Sequence, residues 1–155
     1  MKVVKINKYL AGKKLQQSVA PTGGNDTLAQ ARLGAMYKCI VGSSAQYQAG
    51  IATHTSVQSA INACNNGETV LILPGTYTET ISVSNRVNIQ GMGYDSYING
   101  TFTFASGASF CSLTRIRVSQ FIFSAGANGN LVSGFWSTNP TDSGLGNNIT
   151  GVNIT

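Results

Sequence analysis

Short apolar runs, set apart by small polar residues, fill the chain from Thr69 onward. Thr69-Val-Leu-Ile-Leu73 is continuously apolar, as expected of a strand buried on both faces. Ile81-Ser-Val83, Val87-Asn-Ile89, Phe102-Thr-Phe104, Ile116-Arg-Val118 and Phe121-Ile-Phe123 follow, with Ile98, Leu131-Val132, Phe135, Ile149 and Val152-Asn-Ile154. The alternation predicts strands of roughly three to five residues, one face in and one face out. Pro74-Gly75, Gly91-Met-Gly93, Asn99-Gly100, Ser106-Gly107, Gly126-Ala-Asn-Gly129 and Gly144-Leu-Gly-Asn-Asn148 read as turns. A hairpin sandwich fits this spacing, and so does a solenoid of roughly twenty residues per coil.

Ahead of the strands the period changes. Val57, Ala60, Ile61 and Cys64 make one helical stripe. Thr55-Ser-Val-Gln58 has capping-box spacing, and Asn65-Asn-Gly67 stops the helix. Such a stripe has to cover something apolar. Pro21-Thr-Gly-Gly-Asn-Asp26 is a turn cluster, and Thr27 to Tyr37 has the pattern of a short helix capped by Asp26 or Thr27.

Charge divides the chain of 155 residues in two. Only 10% of residues are charged, against about 25% in an ordinary globular domain. Lys2, Lys5, Lys8, Lys13 and Lys14 crowd the first fourteen positions, and with Arg32 and Lys38 they account for seven of the ten basic residues. From Cys39 onward three arginines face four acids. The net charge of +5 therefore describes a basic N-terminal arm, residues 1–38, ahead of a nearly neutral body, residues 39–155. Basic arms bind acidic protein surfaces, nucleic acid or membranes, and a solvated tail is the plainer alternative. Cys39, Cys64 and Cys111 form no CxxC and read as free, buried thiols of a protein folded in a reducing compartment. No run of 18 apolar residues is present, so no membrane span is expected, and the N-terminus lacks the apolar core of a signal peptide.

The stretch Thr55 to Gly93 resembles the N-terminal cap and first coil of the pectin lyase-like superfamily. The matching residues are Ser56-Val-Gln-Ser-Ala-Ile-Asn-Ala63, Gly67-Glu-Thr-Val-Leu-Ile-Leu-Pro-Gly-Thr-Tyr-Thr-Glu79, Ile81, Val83 and Val87-Asn-Ile-Gln-Gly-Met-Gly93. The resemblance implies an all-β protein: a short right-handed parallel β-helix, capped by one N-terminal amphipathic helix and preceded by the extended basic arm. Function is not implied with it, because the superfamily holds polysaccharide lyases, esterases, phage tailspikes and virion structural proteins.

The chemistry of such enzymes needs carboxylates gathered on one face, two of them about 5–10 Å apart in glycosidases. The five acids here, Asp26, Glu68, Glu79, Asp95 and Asp142, show no clustering at one-coil spacing. No catalytic residue, metal ligand or cofactor is expected. His54, the one histidine, has no cysteine or carboxylate at ligand spacing. Arg115 and Arg117, two apart on a strand, share a face and offer an anion or surface contact, with a solvated face as the plain reading. Trp136, Phe135 and the Tyr94/Tyr97 pair are sugar-stacking candidates, though single aromatics more commonly serve core or interface.

Low charge and abundant Gly, Ser, Thr and Asn also resemble bacteriophage structural proteins. The expectation is a virion protein assembled in the host cytoplasm, best matched by a head decoration or cement protein. Its arm would bind other virion proteins, the major capsid protein or a tail protein, and the body would form a homo-oligomer, a trimer in virion proteins of this resemblance. A tail fibre or tailspike component that binds or cleaves host polysaccharide is the alternative. Nucleic acid is the minor partner for the arm, and its binding would fall steeply with salt.

Overall fold

The computed structural model describes residue 34 and residues 36–154. The chain divides into two units, Met1–Met36 and Tyr37–Thr155, and the second holds nearly all of the described residues. Residues 1–33 and 35 of the basic arm, with Lys2, Lys5, Lys8, Lys13 and Lys14, lie outside the described residues, as does most of the helix expected over 27–37.

The second unit is a parallel β-solenoid of about four turns. Its strands are β1 (Cys39–Val41), β2 (Thr69–Ile72), β3 (Gly75–Tyr77), β4 (Ile81–Val83), β5 (Asn88–Gly91), β6 (Ser96–Phe104), β7 (Ser112–Phe123), β8 (Leu131–Asp142) and β9 (Asn148–Ile154). Every strand pairing is parallel. The inward register of the first face climbs from Val70 to Ile89, Leu113, Val132 and Ile149, so one coil takes between 17 and 24 residues. A second face stacks Thr76, Tyr97, Arg117, Trp136 and Asn153, and a third stacks Ile81, Phe102, Phe121 and Pro140.

The interior follows from the alternation. Val70, Ile72, Ile89, Leu113 and Val132 fill the first face from inside, and Ile98, Ile116 and Val118 fill the second. Four phenylalanines fill the third: Phe102 and Phe121 stack at 6.0 Å, Phe104 and Phe123 at 5.3 Å, with edge-on contacts between the two pairs. Burying one such ring stabilises the fold by roughly 1.5–3 kcal/mol, so this column is a main source of cohesion. It ends in the fourth coil, where Pro140 and Asp142 take the register positions of Phe121 and Phe123. Asp142 there accepts bonds from Gly144 N (2.8 Å) and Asn147 Nδ2 (3.0 Å).

The strands are longer than the alternation alone suggests. β6 has nine residues, and β7 and β8 twelve each, because the backbone bends between faces without leaving the ladder. At Asn99-Gly100, read from sequence as a turn, the register shifts inside β6 between Ile98 and Thr101. A side chain at Gly100 would collide with the Glu79 carbonyl of the coil below. At the next corner Arg115, Gly134 and Gly151 stack in register with φ of 54, 57 and 64°. Period-2 reasoning cannot carry across such a left-handed residue.

Among the described residues, two short helices lie between β1 and β2. α1 (Ser44–Gln48), not anticipated, buries no side chain, and it starts with a complete capping box: Gln46 N donates to Ser43 Oγ (3.3 Å) and Ser43 N to Gln46 Oε1 (2.7 Å). α2 (Val57–Ala63) is the expected cap. It buries Val57, Ala60 and Ile61 and packs against β1, β2 and β4. Its N-cap is Ser56, one residue later than expected, and Gln58 does not close a capping box. Gln58 reaches instead to Ser82 of β4, accepting from its N at 2.7 Å and donating to its O at 3.1 Å. Ser59 N donates to the N-cap Ser56 Oγ (3.2 Å), and Glu79 accepts from Val57 N (2.9 Å), Gln58 N (3.2 Å) and Ser56 Oγ (2.8 Å). One carboxylate thus ties the cap to the first coil.

Candidate functional site

The richest side-chain chemistry on the outside of the coils lies at the corner between the first and second faces. Gly91-Met-Gly93 turns the chain there, with Gly93 at φ 117°. Ser96 holds the turn from inside: fully buried, its hydroxyl accepts from Met92 N (2.9 Å) and donates to Ile72 O (2.9 Å). The result places Tyr94 outward, 44% exposed, next to the start of β6.

Tyr97, Arg117 and Trp136 occupy the same outward register position in three successive coils, about 4.8 Å apart by strand spacing. The Arg117 guanidinium carbon lies 4.0 Å from the Tyr97 ring centre and 4.5 Å from that of Tyr94. Tyr94 meets Trp136 edge-on at 5.7 Å. The Tyr97 hydroxyl is anchored to Ser119 Oγ (2.6 Å) and Asn99 Oδ1 (3.2 Å). Each cation–π contact at such a half-exposed site contributes about 0.5–1 kcal/mol, enough to hold the guanidinium in place. Arg115 stands on the corner itself, exposed. The two arginines therefore differ in setting: Arg117 is clamped on the face, while Arg115 is free of the strand alternation.

No family model, curated protein or solved structure matches the chain.

The acids are spread and employed elsewhere. Glu79 anchors the cap. Glu68 accepts from Asn65 N (2.7 Å), Asn65 Nδ2 (3.2 Å) and Lys38 Nζ (3.3 Å), and the Asn65 backbone bond foremost holds its carboxyl below the usual range. Asp142 holds the loop that follows β8. Asp95 sits on the corner after Tyr94, and its backbone carbonyl accepts from Gly75 N at 2.8 Å. Among the described residues no three His, Cys, Asp or Glu side chains gather as metal ligands.

Cys39, Cys64 and Cys111 are buried, free thiols. Burial pushes Cys64 up to about 12, reinforced by its hydrogen bond with Cys39, and burial likewise raises Cys111. Such thiols are poor nucleophiles. His54 pairs with its neighbour, Nδ1 lying 2.8 Å from Thr53 Oγ1.

From the sequence, Arg115 and Arg117 were visible as a pair, and the tyrosines and Trp136 as isolated aromatics. Their union was not. Arg117 lies 20 residues from Tyr97 and 19 from Trp136 along the chain, and only the coil register brings them together.

Proposed function

We propose that this protein is a bacteriophage virion structural protein, a capsid decoration or cement protein whose β-helix stands on the particle and whose N-terminal arm anchors it. The cap and first coil, Thr55 to Gly93, are on this reading those of the pectin lyase-like superfamily. The arm lysines, Lys2, Lys5, Lys8, Lys13 and Lys14, contact an acidic surface of the major capsid protein, and the bodies associate as a homotrimer.

One observation carries the scaffold reading over a catalytic one: the employment of the acids. Glu68, Glu79 and Asp142 each satisfy backbone donors of the solenoid and its cap. A pair of carboxylates with a free approach for substrate is what glycoside cleavage requires, and three of the four acids of the coils are spent on structure. The outer surface of the first face fits the same reading. Thr69, Asn88 and Ser112, with Gln90 and Thr114, form uncharged polar ladders suited to a durable, inert surface.

Removing residues 1–20 tests the anchoring. The truncated body is expected to fold with an unchanged far-ultraviolet spectrum and to be lost from purified particles. Incorporation at the full-length level would overturn the reading, and location on the tail would transfer the protein to the tail-fibre class.

A further inference from the structure

The Tyr94/Arg117 corner has a feature that stability does not explain. Arg115 takes φ 54°, a left-handed conformation unfavourable for any residue with a Cβ. The two coils above place Gly134 and Gly151 at the same register position, so the fold itself asks for glycine there. The arginine stays, exposed, and among the described residues neither it nor Arg117 has a carboxylate within ion-pair distance. A strained residue kept at a surface corner is a pointer to use.

The remaining free chemistry defines what fits. Tyr94 and Tyr97 spend ring faces on the Arg117 guanidinium, Tyr94 also meets Trp136, and the Tyr97 hydroxyl is spent on Ser119 and Asn99. Pyranose rings and nucleic-acid bases need open aromatic faces to stack on. Beside half-exposed Tyr94, the surface here offers the Arg117 guanidinium, the head of exposed Arg115 and the apolar flank of Met92, 52% exposed. Arg, Tyr, Trp and Met are the residues enriched where protein interfaces are centred. A guanidinium edge held by two rings is pre-organised for a carboxylate, taken two-pronged. Two copies of this corner are poor mutual partners. Among the described residues the acid at the corner is Asp95, so two such corners meeting would bring four arginines against two carboxylates.

We propose that the ridge of Arg115, Arg117, Tyr94 and Trp136 is a docking site for a carboxylate-bearing segment of a partner protein. Arg117 takes one carboxylate in fixed geometry, Arg115 takes a second, and Met92 covers an apolar neighbour. This site is separate from the arm and does not depend on the virion reading.

Trp136 is the only tryptophan, so its emission reports on the ridge directly. The full-length chain is titrated with an acetylated hexaglutamate peptide, and in parallel with a galacturonate hexamer and a six-base single-stranded DNA. The expected result is a saturable change in Trp136 emission at roughly millimolar peptide, with a midpoint that rises several-fold as salt is raised. Arg115→Gln and Arg117→Gln each weaken the response about tenfold, and together they abolish it while the thermal melt persists. The double variant keeps every arm lysine, so arm binding alone cannot produce this pattern. The proposal is overturned by no saturable response to hexaglutamate, by an unchanged midpoint in the double variant, or by a stronger response to galacturonate or DNA. A concentration-dependent dimer in sedimentation that the double variant loses would also overturn it, in favour of self-association.

Discussion

Replacing Phe104 by alanine removes the ring at the centre of the third-face column. Phe104 is fully buried and packs at 5.3, 5.8 and 5.3 Å from Phe102, Phe121 and Phe123. Buried Phe→Ala changes cost about 3–5 kcal/mol, transfer and cavity together. The ring pairs add about 0.5–1.5 kcal/mol beyond area, and they are partly counted already, so about 4 kcal/mol is a fair central value. Set against a total stability of about 5–15 kcal/mol, this is a large fraction, equivalent to roughly 10–20 °C in the melting temperature. Ile122 supplies the internal control. It lies on the same strand as Phe121 and Phe123 but on the outer side and only half-buried, so Ile122→Ala should cost under about 1.5 kcal/mol. Urea unfolding followed by circular dichroism, with unchanged slopes, gives both numbers. A one-residue slip of β7 would exchange the two faces. Equal losses, or a larger loss for Ile122→Ala, would refute the register on which the whole solenoid rests.

Glu79→Gln keeps the shape of the clamp on α2 and removes its charge; a loss of about 1–3 kcal/mol is expected, seen as a lower urea midpoint and earlier proteolysis near residues 44–64. Arg115→Gly should raise stability by about 1 kcal/mol by relieving the left-handed backbone, a gain absent in Arg115→Gln, and thermal melts of the two variants separate strain from charge. Alkaline stability follows from Cys64 and Tyr77, both held up to about 12 from ordinary values of 9.0 and 10.0, chiefly by burial. Each is neutral when protonated, so the unfolded chain releases these protons first: stability is complete below pH 9 and declines as pH rises toward 12. Urea midpoints at pH 7, 9 and 11 measure the decline, and Tyr77→Phe should flatten it.

Local pattern carried much of the architecture. The stripe of Val57, Ala60, Ile61 and Cys64 faces the core as its spacing requires, and Thr69–Ile72 and Ile81–Val83 form strands where apolar runs and alternation place them. Corners were the weak point. Phe110 and Arg115 adopt left-handed conformations that their residue types disfavour, φ 56° and 54°, and at Arg115 this breaks the in-and-out alternation inside β7 with nothing in the residue type to signal it. Long-range partners were equally hidden: the acid that anchors α2 is Glu79, more than twenty residues downstream. The Ser43–Gln46 capping box of α1 was in plain view, a serine with glutamine three residues on, but it heads a segment with no apolar stripe to signal a helix. For the Tyr94–Arg117–Trp136 ridge no local signal existed, since its members meet only through coil register.

The most direct measurement of the central claim is a cryo-electron microscopy map of particles purified from cells that express this protein. The account predicts density for a four-turn β-helix at symmetry-related capsid positions, with its N-terminal arm running into the shell and disappearing on deletion of residues 1–20. Particles that lack the protein altogether, or a body bound to the shell with the arm making no contact, would contradict it.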